Sequence, residues 1–153
     1  MAESTTYHLA QANIAQMKAP LDDPIMAEFT GNLDAINALA ESAPGYVWRL
    51  QTDAGDATAI QAYEDETILF NMSVWETVEA LFEYTYKSRH VEFLSNRRAW
   101  FGHMKGAGVV LWWVPAGHEP TVEEAKAKLA QLEQEGPTPQ AFTFAKRFPP
   151  PGE

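Results

Sequence analysis

The spacing of apolar and polar residues changes period several times along the chain, and each change predicts an element. Over residues 68–75 the period is two: Ile68, Phe70, Met72 and Val74 form an apolar face, and Leu69, Asn71, Ser73 and Trp75 a mixed one. Such alternation is the mark of a strand. A looser alternation over 7–14 predicts a first strand, in which Leu9, Gln11 and Asn13 share a face. Residues 46–51, rich in aromatic and branched side chains, predict another, ended by a turn cluster at 53–56. The run 109–114 is almost continuously apolar, as suits a strand buried on both sides, and its Trp112 and Trp113 point to opposite faces.

Between these runs the period becomes helical. Asp22-Asp23-Pro24 is a helix start, because an Asp oxygen can cap free amides and proline at the first position loses no needed hydrogen bond. Ile25, Phe29, Leu33, Ile36 and Leu39 then recur every three or four residues until Pro44-Gly45, predicting a helix over 24–42. A second helical stripe begins after Thr77 with Val78, Leu81, Phe82 and Thr85, breaks near Lys87-Ser88, and resumes through Phe101. Thr121 and Glu124 form a capping box, Val122, Ala125, Leu129 and Leu132 a buried stripe, and Gly136 a stop. The remainder, with prolines at 137, 139 and 149–151, predicts an extended arm. Residues 58–64 fit neither period.

The order strand, helix, strand, strand, helix, strand is the split βαβ pattern of ferredoxin-like α+β folds, with a C-terminal helix and arm added. It predicts one antiparallel sheet with both crossover helices on one face, in a single domain over 1–146, and a Pro-rich tail over 147–153. An uncovered second face would leave apolar surface in water. A second copy of the chain is the expected cover.

Composition narrows the function. Hydrophobic residues make up 46% of the 153 and charged residues 21%, as in an ordinary globular protein. Eleven basic against 21 acidic side chains give a net charge of -10, which argues against nucleic acid and anionic membranes as partners. With no cysteine, disulfides, thiolate nucleophiles and cysteine-held metals are excluded. Residues 1–8 lack the features of a signal peptide and no apolar run approaches a membrane span, so a cytoplasmic protein is expected. Nucleophile elbow, phosphate-cradling glycine loop and dinucleotide fingerprint are all missing.

Several residues remain as candidate chemistry. Asn71 and Ser73 are polar in mid-strand and face the same way as Trp75, so they can line a pocket, or be paired within the core. His90 and Arg97 lie seven residues apart on a helical face with Phe93, Leu94 and Trp100, about 10.5 Å along the axis. His90 suits a proton carrier or a haem ligand. Arg97 suits an anion clamp or an ion pair with one of the many carboxylates. His8, His103 and His118 have no metal-site spacing, and no metal is expected. The acidic residues of the Glu76 to Glu83 and Glu123 to Glu135 stretches read as solvated helix faces.

The segment NMSVW at 71–75, followed by an aromatic-rich helix and then His90 and Arg97, resembles the antibiotic-biosynthesis-monooxygenase-like proteins of the dimeric α/β-barrel superfamily. That resemblance implies a homodimer and a pocket for a flat aromatic or quinone-like substrate. In cofactor-free members an Asn four residues before the strand-end Trp and a helical Arg position a phenol, roles that fall here on Asn71, Trp75 and Arg97. In haem-degrading members a first-strand Asn, that Trp and a helical His act together, which here means Asn13, Trp75 and His90. YHLAQ at 7–11, NMSVWE at 71–76, LWWVPAGH at 111–118, the Pro120-Thr121 pair and GPTPQAFTF at 136–144 look like a bacterial family of that superfamily known only as a domain of unknown function.

Three readings follow. The first is a cofactor-free monooxygenase-like enzyme using Asn71, Trp75, His90 and Arg97, with Asn13, Trp48, Ser73, Trp100 and Trp112 lining the pocket. The second is a haem protein ligated by His90. In the third, a non-catalytic dimer, the aromatic residues simply pack.

Overall fold

The computed structural model describes residues 6–18, 23–27, 31, 33–50, 68–87 and 108–151. Its elements are β1 (Tyr7–Gln16), a 3-10 turn (Pro24–Met26), α1 (Leu33–Glu41), β2 (Tyr46–Arg49), β3 (Ile68–Trp75), α2 (Val78–Lys87), β4 (Val109–Pro115) and α3 (Val122–Glu135). The strands form one antiparallel sheet in the order β2-β3-β1-β4. This is the ferredoxin-like order that the split pattern predicts.

The helix expected over 24–42 opens instead as a 3-10 turn at Pro24, where the Met26 amide donates to the Asp23 carbonyl at 2.9 Å. Its far end is closed by Ser42, whose hydroxyl donates to the carbonyls of Ala38 and Leu39. Gly45 follows with φ +86°, and its turn runs so close to α2 that a side chain there would overlap Ala80. Helix α2 begins with the Thr77 hydroxyl accepting from the Ala80 amide.

Two clusters fill the two sides of the sheet. Leu9, Trp75 and Leu111 pack with Ala40 of α1 and with Val78 and Leu81 of α2, so both crossover helices cover the same face. On the other side Ala10, Met72, Val74 and Val110 pack against Ala125, Leu129 and Leu132 of α3. Phe70, Met72 and Val110 are fully buried there within one chain. The face expected to need a partner is thus closed by the chain itself, with α3 as part of the cover.

The C-terminal arm packs along the edge of the sheet. Phe142 pairs its backbone with Leu111 at the β4 edge, with both N–H···O distances at 2.8 Å, and blunts an otherwise open strand. Phe142, Phe144 and Phe148 join the cluster under α2. Among the described residues no helix is long and apolar enough to cross a membrane.

Candidate functional site

Buried polar side chains are costly unless bonded, so their location shows where a core departs from packing alone. Among the described residues there are three: Gln11 and Ser73, each 7% exposed, and Arg49, 9% exposed. They are neighbours. Gln11 of β1 stands opposite Ser73 of β3, and Ser73 opposite Arg49 of β2, so one polar row crosses three adjacent strands on the α1/α2 face.

The row is tied together by hydrogen bonds. Gln11 Nε2 donates to Ser73 Oγ at 2.8 Å and to Asn71 Oδ1 at 3.0 Å, while Trp75 Nε1 donates to Ser73 Oγ at 2.8 Å. With the Gln11 amide in this orientation, Ser73 Oγ accepts twice and keeps its own proton for a further acceptor. Asn71 and Asn13, directly opposite each other on β3 and β1, are both exposed and form the open side of the row.

The closed side is aromatic. Trp75 is 1% exposed, stacked on Tyr84 of α2 with ring centroids 5.0 Å apart and met edge-on by Tyr46 at 5.7 Å. Burial pushes the Tyr84 phenol well up from its ordinary pKa, partly countered by the Arg49 charge. Burial also raises Tyr46, helped by the Glu41 charge and opposed by Arg49. Both phenols therefore stay protonated at neutral pH. Arg49 Nε lies 3.4 Å from Glu41 Oε2 at the end of α1.

This arrangement offers hydroxyl, amide and guanidinium groups beside aromatic rings. Such groups can donate hydrogen bonds and stabilise negative charge.

Of the residues predicted from sequence, Asn71, Ser73 and Trp75 come together here and Asn13 joins them at the rim. Trp48 and Trp112 do not. Trp48 stands opposite Val74 and Trp112 opposite Ala10, both on the α3 side of the sheet, so neither can share a pocket with Trp75. Trp113 is the strand-four tryptophan on the Trp75 side, opposite Leu9, and its indole N–H donates to the Phe148 carbonyl at 2.9 Å. His90, Arg97 and Trp100 lie outside the described residues. Sequence reasoning missed Gln11, Arg49, Tyr46 and Tyr84. The polar residue in mid-strand that drew attention to Asn71 was an equal signal for Gln11.

A second polar group lies across the sheet. Glu124 receives the Trp112 indole N–H at 2.8 Å through Oε2 and pairs His118 Nε2 at 2.8 Å through Oε1. Its backbone amide donates to the Thr121 hydroxyl as the capping box predicts, but its carboxylate turns to the two ring partners and is not simply a solvated charge. Burial works to raise its pKa, yet hydrogen bonds from His118 and Trp112 and the charges of His118 and Lys128 hold it below the ordinary carboxylate value.

Haem would need an axial ligand on the α1/α2 face. Among the described residues the two histidines do not fit: His8 alternates with Leu9 onto the α3 side, and His118 is bonded to Glu124. No group of three His, Asp or Glu side chains suited to a metal ion occurs among the described residues.

Residues 8–153 match the family described as "Domain of unknown function (DUF3291)". The chain belongs to this family. Among solved structures, the DUF3291 chain is similar to PA3566 from Pseudomonas aeruginosa, with 15% identity, TM-score 0.47, and coverage of 77% of this chain and 100% of that one. It is also similar to the protein described as "Putative antibiotic biosynthesis monooxygenase from Nitrosomonas europaea", with 10% identity, TM-score 0.48, and coverage of 79% and 100%. A search of curated proteins finds no match. The chemistry of this DUF3291 protein is therefore read from its own residues.

Proposed function

We propose that the protein binds a small, flat aromatic or quinone-like molecule on the α1/α2 face of its sheet and oxidises it as a cofactor-independent monooxygenase. The observation that carries this reading is the buried row Gln11, Ser73 and Arg49 beside the stack of Trp75 on Tyr84. A face built only for packing would be apolar at these positions, as the opposite one is at Ala12, Met72 and Val74. In this reading the substrate oxygen bonds to the Asn71 amide and to the Ser73 hydroxyl, with Gln11 holding both side chains in place.

The reaction needs no external reductant. A phenol with an open ring position plus O2 gives a quinone plus water: one oxygen atom replaces the ring hydrogen and the other leaves as water, with all electrons drawn from the substrate. The protein's task is to orient the phenol, favour its anion and keep bulk water away. His90 as proton acceptor and Arg97 as a further anion contact belong to the same proposal.

The test is a panel of naphthols and naphthoquinones, read first by thermal shift, since a ligand selective for the native state raises stability by mass action. Oxygen uptake with the best naphthol follows. Asn71→Ala should lower kcat/KM by roughly tenfold or more, as expected for loss of a hydrogen bond to a charged oxygen. Unchanged turnover in Asn71→Ala, or no stabilisation by any member of the panel, refutes the proposal.

A further inference from the structure

We propose that the C-terminal arm is a latch on α2: while the arm holds Phe82, the Tyr84 ring fills the stacking face of Trp75, and a flat ligand gains that face only when the latch releases. The inference rests on the reading of this side of the sheet as an aromatic-binding site and adds the control of entry to it.

Trp75 is occupied by the protein itself. Tyr84 lies on its ring at 5.0 Å with 28° between the planes, Tyr46 meets its edge, and the residue is buried. An offset stack is the contact that an aromatic ligand would itself make with an indole, so such a ligand has to displace Tyr84. Tyr84 belongs to α2. The place of α2 over the sheet therefore decides whether Trp75 is open to a ligand.

Two contacts meet α2 from opposite ends of the sheet. Beside β2, the Gly45 turn runs against Ala80, and the Glu76 amide donates to the Gly45 carbonyl at 2.7 Å. That side leaves no room for α2 to move. From β4, the arm reaches over to Phe82: Phe144 meets its ring edge-on at 5.7 Å, and the Arg147 guanidinium lies 5.1 Å from its centre. This hold is weaker, because Arg147 is exposed and Phe144 half-buried, and an exposed cation–ring contact contributes little. The arm is pinned on both sides of the contact, by the backbone pair of Phe142 with Leu111 and by the Trp113 indole donating to the Phe148 carbonyl at 2.9 Å. Between the pins the chain turns on itself, with the Lys146 amide donating to the Thr143 hydroxyl at 3.2 Å and Arg147 Nε to the Phe144 carbonyl at 3.1 Å. A short loop between two fixed ends can leave α2 without the arm leaving the sheet.

The experiment reads helix and ligand separately in the full chain. Amide hydrogen exchange follows residues 78–87, and calorimetry gives the dissociation constant of 1,4-naphthoquinone, a probe that the absence of cysteine protects from thiol addition. Arg147→Ala removes the cation–ring contact and should raise the released fraction by about two- to fivefold. Exchange in α2 should quicken by that factor, and naphthoquinone should bind tighter by the same factor, since apparent affinity scales with the competent population. Phe144→Ala should act in the same direction. An arm that only packs would loosen α2 without tightening the ligand. Tyr84→Ala should bind more tightly than the wild type, and adding Arg147→Ala to it should change nothing further; Arg147→Ala, at an exposed position, carries the test should Tyr84→Ala not fold. Unchanged α2 exchange in both arm variants, or naphthoquinone binding that neither variant tightens, overturns the latch and leaves the aromatic site standing. If naphthoquinone binds no variant, Tyr84→Ala included, the aromatic reading falls and the latch falls with it.

Discussion

Replacing Ser73 by alanine removes one oxygen atom from a fully covered part of the sheet, and the structure sets the size of the effect. Ser73 Oγ is the acceptor for Trp75 Nε1 and one of two acceptors for Gln11 Nε2, both at 2.8 Å. The indole of Trp75, at 1% exposure, has no water to turn to. An orphaned buried donor costs about 1–3 kcal/mol; Gln11 loses a second bond but keeps Asn71, so the total is about 2–4 kcal/mol. For a chain of this length that corresponds to a fall in Tm on the order of 10 °C. Urea unfolding followed by tryptophan fluorescence would measure it, with an unchanged m-value as the check that only stability has moved. Trp75→Phe supplies the control: with the indole N–H gone, the further loss of Ser73 Oγ should cost at least about 1 kcal/mol less than it does in the wild type. A Ser73→Ala penalty under about 0.5 kcal/mol, the range of surface substitutions, would refute the claim that this hydroxyl holds a buried network.

Other parts of the molecule give equally direct tests. Gly45→Ala should destabilise by about 2–4 kcal/mol, because it combines a left-handed φ with overlap on Ala80, whereas Gly117→Ala, at φ +93° with open space around it, should lose only the conformational part; parallel urea curves separate the two. Phe142→Ala empties a fully buried position between β4 and the arm and should cost about 3–5 kcal/mol, with faster proteolysis of residues 137–151. The folded pKa of Glu124 lies below its unfolded value, so the stabilisation it brings is complete above the ordinary carboxylate range and is lost as pH falls through the lowered folded value. Glu124→Gln should flatten that part of the acid limb in a Tm series from neutral pH downward, and an unchanged acid limb would rule out the pairing with Trp112 and His118.

How far the sequence could carry the fold depends on which features are local. The bounds of β3 were legible because its period is strict over eight residues, and α3 because Thr121 and Gly136 mark its ends; the Thr121 hydroxyl accepts from Glu124 N at 3.1 Å and the Gly136 amide donates to Leu132 O at 2.8 Å. The element order then implied the strand order. What α3 packs against was not legible, since an apolar stripe names a buried face without naming its partner. For that reason the cover expected for this face did not include α3. The carboxylate of Glu124 was misread for the same reason: spacing placed it at a capping position, but the indole of Trp112 reaches it only because β4 and α3 pack together.

The candidate site shows the same division, and one residue decides it. Strict alternation along β2 puts Tyr46 and Trp48 on one face and Arg49 on the other, which would bring Trp48 beside Trp75 and send Arg49 to the opposite side. The structure inserts a bulge between Tyr46 and Trp48: Tyr46 faces Trp75, but Trp48 faces Val74 and Arg49 faces Ser73. The residue between them, Val47, is 36% exposed, the one large hydrophobic to stand in solvent among the described residues. An extra residue turns every later side chain of the strand to the other face. Trp48 is thereby removed from the site that alternation assigned to it, and Arg49 is brought into line with Ser73 and Gln11. No period in the sequence announces such an insertion, because a bulge is chosen by what both faces must bury. The cation on this face was therefore hidden in a four-residue strand, and deleting Val47, the inserted residue, should leave Trp48 opposite Val74 and Arg49 opposite Ser73 with the polar row intact.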